Sequence, residues 1–328
     1  MLKSELKKVR KKIDPVIFNQ LTADISEDFK ELTEHQIKTG GKRVRPFLLL
    51  TLFNCLQEGK EPKKLAAAIE IFHNYSLLLD DIIDKGKLRR GEPTSWEKYG
   101  SEATLCSSSF HFSTITKLLA DYPPEVIDLF SKETKAVMDG ELIDVLQDRS
   151  QAGGKMGELE KKYKNPDYDE YLMMVKKKTG ALFRLSCAGA AILAGEGEEV
   201  IDKANKLGDK IGISYQIKDD ILDIFGDEDS FGKKIGKDIE ERKGGNLVII
   251  LAIEEKPELL EIFNLDEINS KEVRRAMDLI NQTEAKKRAE KLAQKNIQKA
   301  LDLMDFFPKN RESDLLKELI NYLKIRKK

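Results

Sequence analysis

Apolar residues recur at helical spacing along almost the whole chain, and alternating β-branched runs are nearly absent. Val44-Leu48-Leu52-Cys55-Leu56 form one stripe and Leu65-Ile69-Phe72 a second. Ile201-Ala204-Leu207-Ile211-Tyr215 form a third, and Leu315-Leu316-Leu319-Ile320-Leu323 lie in the tail. Val248-Ile249-Ile250-Leu251 is the best strand candidate, but it sits in a longer apolar segment and reads as helix. At 328 residues and 40 % hydrophobic content, the chain can bury a substantial core. The pattern predicts an all-α fold in a single domain, residues 1–328. Breaks are expected where Gly, Pro and charge concentrate, at Gly40-Gly41, Lys85 to Pro93 and Gly226 to Gly245 among others.

Two of these apolar runs lead into aspartate pentads, Asp80-Asp81-Ile82-Ile83-Asp84 and Asp219-Asp220-Ile221-Leu222-Asp223. Carboxylates so close to core-like sequence are costly unless paired or bound to metal. Helical geometry puts positions i, i+1 and i+4 on one side, so each pentad is expected to aim three carboxylates at one point. Each is followed by a basic loop: Lys85, Lys87, Arg89 and Arg90 after the first, Lys233, Lys234, Lys237, Arg242 and Lys243 after the second. Acid cluster then basic loop, twice, suits a polyanion held through metals on one side and cations on the other.

Charged residues make up 35 % of the chain but nearly cancel, leaving net charge −1. That balance gives no field for bulk binding to nucleic acid or membrane, and the charges read as the outer faces of long helices. Cys55, Cys106 and Cys187 lack metal-type spacing and are expected as buried thiols in a reducing cytoplasm. The N-terminus lacks a signal-like apolar core. The best apolar stretch, Cys187 to Gly195, is shorter than the roughly 20 residues a membrane helix needs. The expectation is a cytoplasmic protein without stable membrane insertion.

Gly40-Gly41-Lys42-Arg43-Val44-Arg45-Pro46, His73, the first pentad with Arg89-Arg90-Gly91, Lys178-Thr179-Gly180, Tyr215-Gln216 with the second pentad, Gly232-Lys233-Lys234 and Lys243 follow one another in this order. In that order the chain resembles the trans-type isoprenyl diphosphate synthases, from about Gly40 to the C-terminus. The resemblance implies one large helical bundle with a central cavity. It implies direct magnesium ligation by Asp80, Asp84 and Asp219, with Asp81, Asp220 and Asp223 close by or acting through water. Three Mg²⁺ per site are expected, with Mn²⁺ as a possible substitute. Lys42, Arg45, His73 and Arg90 resemble the site for isopentenyl diphosphate. Arg89, Lys178, Thr179, Gln216, Lys234 and Lys243 resemble the grip on the allylic diphosphate, and Lys233 is an alternative to Lys234. Asp80, Asp84, Asp219, Lys178 and Lys234 are the catalytic candidates. His35 and His111 are left as structural residues.

The implied reaction joins isopentenyl diphosphate head-to-tail to dimethylallyl, geranyl or farnesyl diphosphate by ionisation, condensation and elimination. The chain is expected to grow along the helix of the first pentad. Tyr75, with Ser76 beside it and Phe72 one turn deeper, is the expected floor; its five-residue offset from the pentad is about 7.5 Å of helix. That pattern resembles synthases that stop at geranylgeranyl diphosphate. Alternatives are another chain length (C15, or C25 and longer), a terpene cyclase, or an inactive regulatory subunit. The second pentad does not fit the cyclase pattern, and intact pentads argue against a dead subunit. Three places depart from the family: Leu105-Cys106-Ser107-Ser108-Ser109-Phe110 in place of a Gly-Asp, Glu141 where Gln is common, and Gly244-Gly245-Asn246 where Thr-Leu-Pro is frequent. A homodimer is implied, with Ser107 to Leu119 as a candidate interface.

Overall fold

The computed structural model describes residues 1–147, 158–159, 163, 165–226, 235–241, 244–265 and 267–325. The fold is all-α apart from one two-stranded hairpin among these residues. The chain divides into two compact units. One comprises Met1–Thr134, Leu182–Gly208 and Leu303–Leu319; the other comprises Lys135–Ala181, Asp209–Asp302 and Ile320–Lys328. The expected positions Lys233, Lys234, Arg242 and Lys243 lie outside the described residues.

In the first unit, α1 (Leu2–Leu21), α2 (Glu27–Lys38), α3 (Val44–Leu56) and α4 (Lys63–Ile83) are followed by the hairpin β1 (Leu88–Arg89) and β2 (Glu92–Pro93), then α5 (Ser95–Tyr99) and α6 (Ser101–Leu119). Helix α4 packs along α6 and also against α1 and α3. Leu65 through Phe72 are all buried, and all but Glu70 are apolar, as a helix enclosed by others must be. Ala66-Ala67-Ala68 lets its neighbours approach closely. The helix stops at Asp84, and Lys85 follows in the left-handed region (φ 51°).

Lys85 to Pro93 is more than a break. Leu88 pairs with Pro93 and Arg89 with Glu92. The intervening Arg90 and Gly91 both have positive φ, 57° and 84°, which is the type I′ geometry that matches the twist of a two-residue hairpin. Thr94 Oγ1 and Trp96 Nε1 both donate to the Gly86 carbonyl, at 2.7 and 2.8 Å, anchoring the hairpin base.

In the second unit the helices include α7 (Pro124–Gln147), which begins in the first unit's segment, α8 (Tyr168–Val175), a π-helical turn (Lys176–Gly180) and the C-terminal part of α10 (Glu198–Phe225). Helix α9 (Ala181–Leu193) precedes α10. After α10 come α11 (Lys237–Glu240), α12 (Leu247–Glu255), α13 (Leu259–Phe263), α14 (Ser270–Asn281), α15 (Ala285–Met304) and α16 (Arg311–Ile325). The Val248-Ile249-Ile250-Leu251 run is helical, and every residue of α12 from Leu247 to Ala252 is buried. It packs into a core with Tyr171, Ile213, Ile217, Phe263, Ile280 and Ala289.

Cys55 and Cys187 are buried as expected, but Cys106 is exposed. It stands on the outer side of α6 with Leu105 and Phe112, whereas Ser107, Ser108 and His111 on that helix face inward. No helix among the described residues is long and apolar enough to cross a membrane.

Candidate active site

The first unit gathers the basic residues expected to meet isopentenyl diphosphate. Gly40 and Gly41 have φ of 113° and 126°, and Arg43 follows at 55° before α3 begins. Arg43 is wholly buried. It donates to Asp14 Oδ1 at 2.7 Å, to Glu70 Oε1 at 3.2 Å and to the Gly40 carbonyl at 2.8 Å. Arg90, at the hairpin tip, donates to that same Gly40 carbonyl. A Cβ on Gly41 would lie 2.6 Å from Arg43 Nη1 and 3.2 Å from Arg90 Nη1, so two guanidiniums converge on one glycine. Lys42 is exposed, and Arg45 rests 4.8 Å from the centre of the Phe183 ring.

His73, half-buried on α4, marks the charge of this region. Burial, and then the guanidiniums of Arg45, Arg90, Arg89 and Arg43, hold its imidazole well below the usual histidine range. Of these four arginines, Arg43 is paired with Asp14 and Glu70 and Arg89 with Asp81. Arginine's planar fork suits phosphate oxygens. Held low in this way, His73 offers hydrogen bonds rather than a positive charge.

The same region holds the first pentad. Asp81 is buried and clamped by Arg89, whose Nε lies 2.9 Å from both carboxylate oxygens and whose Nη2 is 2.7 Å from Oδ1. Burial alone would make Arg89 a weaker base, but Asp81, Asp80 and Asp84 outweigh it and raise its pKa. Asp80 and Asp84 are half-buried, one helical turn apart. The three carboxylates of the pentad thus act on one guanidinium, and Asp81 is the one that Arg89 grips through both oxygens.

The second pentad lies in the second unit, and there both the second and the third aspartate are buried. Asp220 is buried and accepts from Tyr171 Oη at 2.7 Å, Gln216 Nε2 at 2.9 Å and Leu247 N at 3.0 Å. Burial pushes its carboxyl up to about 7 against the pull of those three donors. Asp223 Oδ2 accepts from Asp238 N at 3.2 Å. Asp219 is half-buried.

Gln216 also connects to the expected allylic side, because Thr179 Oγ1 donates to its Oε1 at 2.7 Å. Thr179 and Lys178 lie in the π-helical turn, a widened turn that re-aims side chains and recurs at functional sites. Lys178 Nζ is 2.7 Å from both Glu141 Oε2 and Asp144 Oδ2. Gly140 is why α7 can approach this turn, since a Cβ there would lie 2.4 Å from Lys178 N. Lys178, Thr179 and Gln216 are thus brought together. Arg89 belongs to the first unit, beside the first pentad.

The expected floor is an aromatic cluster. The Tyr75 ring is 5.4 Å from Phe72 and 6.3 Å from Phe112 of α6, and Phe72 is 6.0 Å from Phe130. Ser76 spends its hydroxyl on the His73 carbonyl. The sequence reading missed Arg43, Asp14 and Glu70, Tyr171, Glu141 with Asp144, Phe112 and Asn246. Its one available signal was charge inside apolar stripes, at Glu70 and Asp144.

Among the described residues, no group of three or more His, Cys, Asp or Glu side chains is arranged to hold a metal ion. Asp80, Asp84 and Asp219 are half-buried hard oxygen donors. They fit Mg²⁺, which binds through one or two carboxylates plus substrate phosphates rather than an all-protein cage.

The polyprenyl synthetase family matches residues 26–280. A short chain isoprenyl diphosphate synthase of Methanocaldococcus jannaschii is 31 % identical over 286 residues, 84 % of this chain and 82 % of that protein. A geranylgeranyl diphosphate synthase of Sulfolobus acidocaldarius is 30 % identical over 326 residues, 95 % of this chain and 93 % of that protein. The crystal structure of geranylgeranyl pyrophosphate synthetase from Pyrococcus horikoshii superposes with a TM-score of 0.85 at 28 % identity, covering 98 % of each chain. The chain belongs to the polyprenyl synthetase family and is a prenyltransferase of the prenyl diphosphate synthase class.

Proposed function

We propose that the chain is a geranylgeranyl diphosphate synthase, adding isopentenyl diphosphate to an allylic primer until the product reaches C20. One observation supports the diphosphate chemistry above others. Arg89 feels the carboxylates of the first pentad, and it also acts on His73 together with Arg43, Arg45 and Arg90. Carboxylates beside a guanidinium cluster form a pattern for a polyanion that arrives with cations.

In this reading Lys42, Arg45, His73 and Arg90 bind isopentenyl diphosphate. Arg89, Lys178, Thr179, Gln216, Lys234 and Lys243 serve the allylic diphosphate, and Asp80, Asp84 and Asp219 hold Mg²⁺, with Asp81, Asp220 and Asp223 supporting them. Mg²⁺, when bound, neutralises the diphosphate and stabilises it as a leaving group. The protein's cations orient both diphosphates. The allylic C–O bond then breaks, the isopentenyl double bond attacks C1, and a proton is lost to the departing diphosphate. The aromatic cluster supports the C20 limit, because Phe72 and Tyr75 stand on the helix along which the chain is expected to grow and Phe112 meets Tyr75 from α6.

We extend the reading to a cytoplasmic homodimer. Leu105 and Phe112 are 47 % and 55 % exposed on α6, a side of that helix apolar enough to bury against a second copy. Light scattering of the pure protein tests it, and a monomer would overturn it. The activity is tested by incubating the protein with Mg²⁺, labelled isopentenyl diphosphate and each allylic primer, then chromatographing the products. A C20 product is expected. A mainly C15 or C30 product would overturn the chain length, and diphosphate release without isopentenyl diphosphate would favour a cyclase.

A further inference from the structure

Asn246 sits at a junction of three segments around the second pentad. Its Oδ1 accepts from Val248 N at 2.9 Å and Ile249 N at 3.4 Å, capping the start of α12. Its Nδ2 points the other way, donating to Asp238 Oδ2 at 2.8 Å and to the Asp220 carbonyl at 3.3 Å. All four contacts agree with one orientation of the amide and contradict the flipped one. The neighbouring Leu247 N donates to Asp220 Oδ2 at 3.0 Å. Asp238 N donates to Asp223 Oδ2 at 3.2 Å, and Gly236 N to the Asp223 carbonyl at 2.7 Å. The bonds close a loop: Asp220, Leu247, Asn246, Asp238, Asp223, and back along α10.

Most of this loop is shielded from water: Asn246, Asp220 and Asp223 are 1 %, 3 % and 7 % exposed, and Asp238 is half-buried. Buried hydrogen bonds of this kind fix orientation because their members have no water to turn to. The amide is chemically required. One side must accept from two backbone N–H groups while the other donates to a carboxylate and a carbonyl. Aspartate caps a helix as well as asparagine does, but it would set a second carboxylate against Asp238. Proline, in the Thr-Leu-Pro that the family resemblance leads one to expect here, supplies neither function.

We propose that Asn246 is a positioning residue for the second pentad, setting the orientation of Asp220 and Asp223 by joining α12 and Asp238 to α10. The proposal rests on the reading that this pentad serves magnesium and the allylic diphosphate. The effect of Asn246 passes through the two buried carboxylates.

N246D separates positioning from capping, because it keeps the cap and loses both donors. N246A loses both functions, and D219N tests the underlying reading. Each is compared with the native protein by calorimetric binding of geranyl diphosphate in Mg²⁺ without isopentenyl diphosphate, by the Mg²⁺ concentration for half-maximal activity, by the KM of each substrate and by Tm. N246D is expected to weaken geranyl diphosphate binding about tenfold, the scale of one or two buried hydrogen bonds. Its Mg²⁺ requirement should rise, and its KM for isopentenyl diphosphate should stay near native. N246A should show the same shift with a lower Tm. Native-like allylic binding and Mg²⁺ dependence in N246D, while D219N loses both, would overturn the proposal and leave Asn246 a helix cap. Native behaviour of D219N would instead overturn the magnesium reading of the pentad. Should N246D fail to fold, N246S carries the same expectation, since its hydroxyl caps α12 but is too short to span to Asp238.

Discussion

Tyr171 donates its phenolic hydrogen to Asp220 Oδ2 across 2.7 Å, with both side chains buried. Burial, and then the Asp220 carboxylate, push the phenol well above the usual tyrosine range, so it remains a donor at any working pH. Arg89 does the corresponding work for Asp81. In both pentads the second aspartate is buried on strong donors, while the first is half-buried.

Tyr171→Phe keeps the ring in its core position and removes one of three side-chain or backbone donors to Asp220. A loss of about 1–2 kcal/mol in stability is expected, the cost of one buried hydrogen bond. Denaturant unfolding measures it. The KM for the allylic substrate should rise while that for isopentenyl diphosphate does not. Equal changes in both would mean that Tyr171 acts on the fold as a whole.

Arg89→Lys preserves the charge but not the fork that meets both oxygens of Asp81. Activity should fall by at least about tenfold, the scale of losing one charge-assisted bond. Steady-state kinetics across Mg²⁺ concentrations measures the change. Full activity would show that charge alone suffices at this position.

The pentads, and Arg89 beside the first, were legible because residue type and spacing carry them: Asp80 and Asp84 are one helical turn apart whatever surrounds them. The roles of Tyr171, Arg43 and Asn246 were not, because each depends on a partner distant in sequence. Tyr171 reads as one more apolar position in the stripe of α8, and only the fold brings Asp220 to its hydroxyl. The Arg89-Arg90-Gly91 turn was readable in part. Gly91 signals a turn, but a left-handed arginine at position 90 is not a preference of that residue. The π-helical turn at Lys176–Gly180 leaves no mark in the local sequence, where Tyr171, Met174 and Val175 run on toward Leu182 and Leu185 as apolar positions of a helix. Its only sequence trace is Gly140, 38 residues before Lys178, where the backbones meet.

Gly140→Ala tests that meeting. The added Cβ would stand 2.4 Å from Lys178 N and 2.8 Å from Lys178 Cα, both backbone atoms that cannot swing aside. Overpacking of this kind is expected to cost about 3 kcal/mol and to shift Lys178 away from Glu141 and Asp144. Thermal unfolding and the KM for the allylic substrate should both move. A stable, fully active variant would show that the π-helical turn can retreat without consequence.

Tyr75→Ala should lengthen the product. The ring touches Phe72 on its own helix and Phe112 on α6, so its removal opens space between the two helices that Phe72 alone does not fill. Chromatography of the labelled products should show chains beyond those of the native enzyme. An unchanged distribution would place the limit elsewhere.

His111 gives the stability a pH dependence independent of the substrates. Burial holds its imidazole down to about 4, despite the Ser107 carbonyl 2.9 Å from Nδ1. The unfolded chain returns it to about 6.5. Between those values the unfolded state binds the proton and the folded state does not. The contribution is therefore complete above about pH 6.5 and is lost as pH falls toward 4, up to about 3 kcal/mol in all. His73, also held low, acts in the same direction, so the native protein alone does not isolate His111. The difference between native and His111→Gln in urea midpoint, measured at pH 7 and at pH 4.5, does. The native protein should lose more stability than the variant on acidification, and parallel losses would show that His111 is not buried neutral.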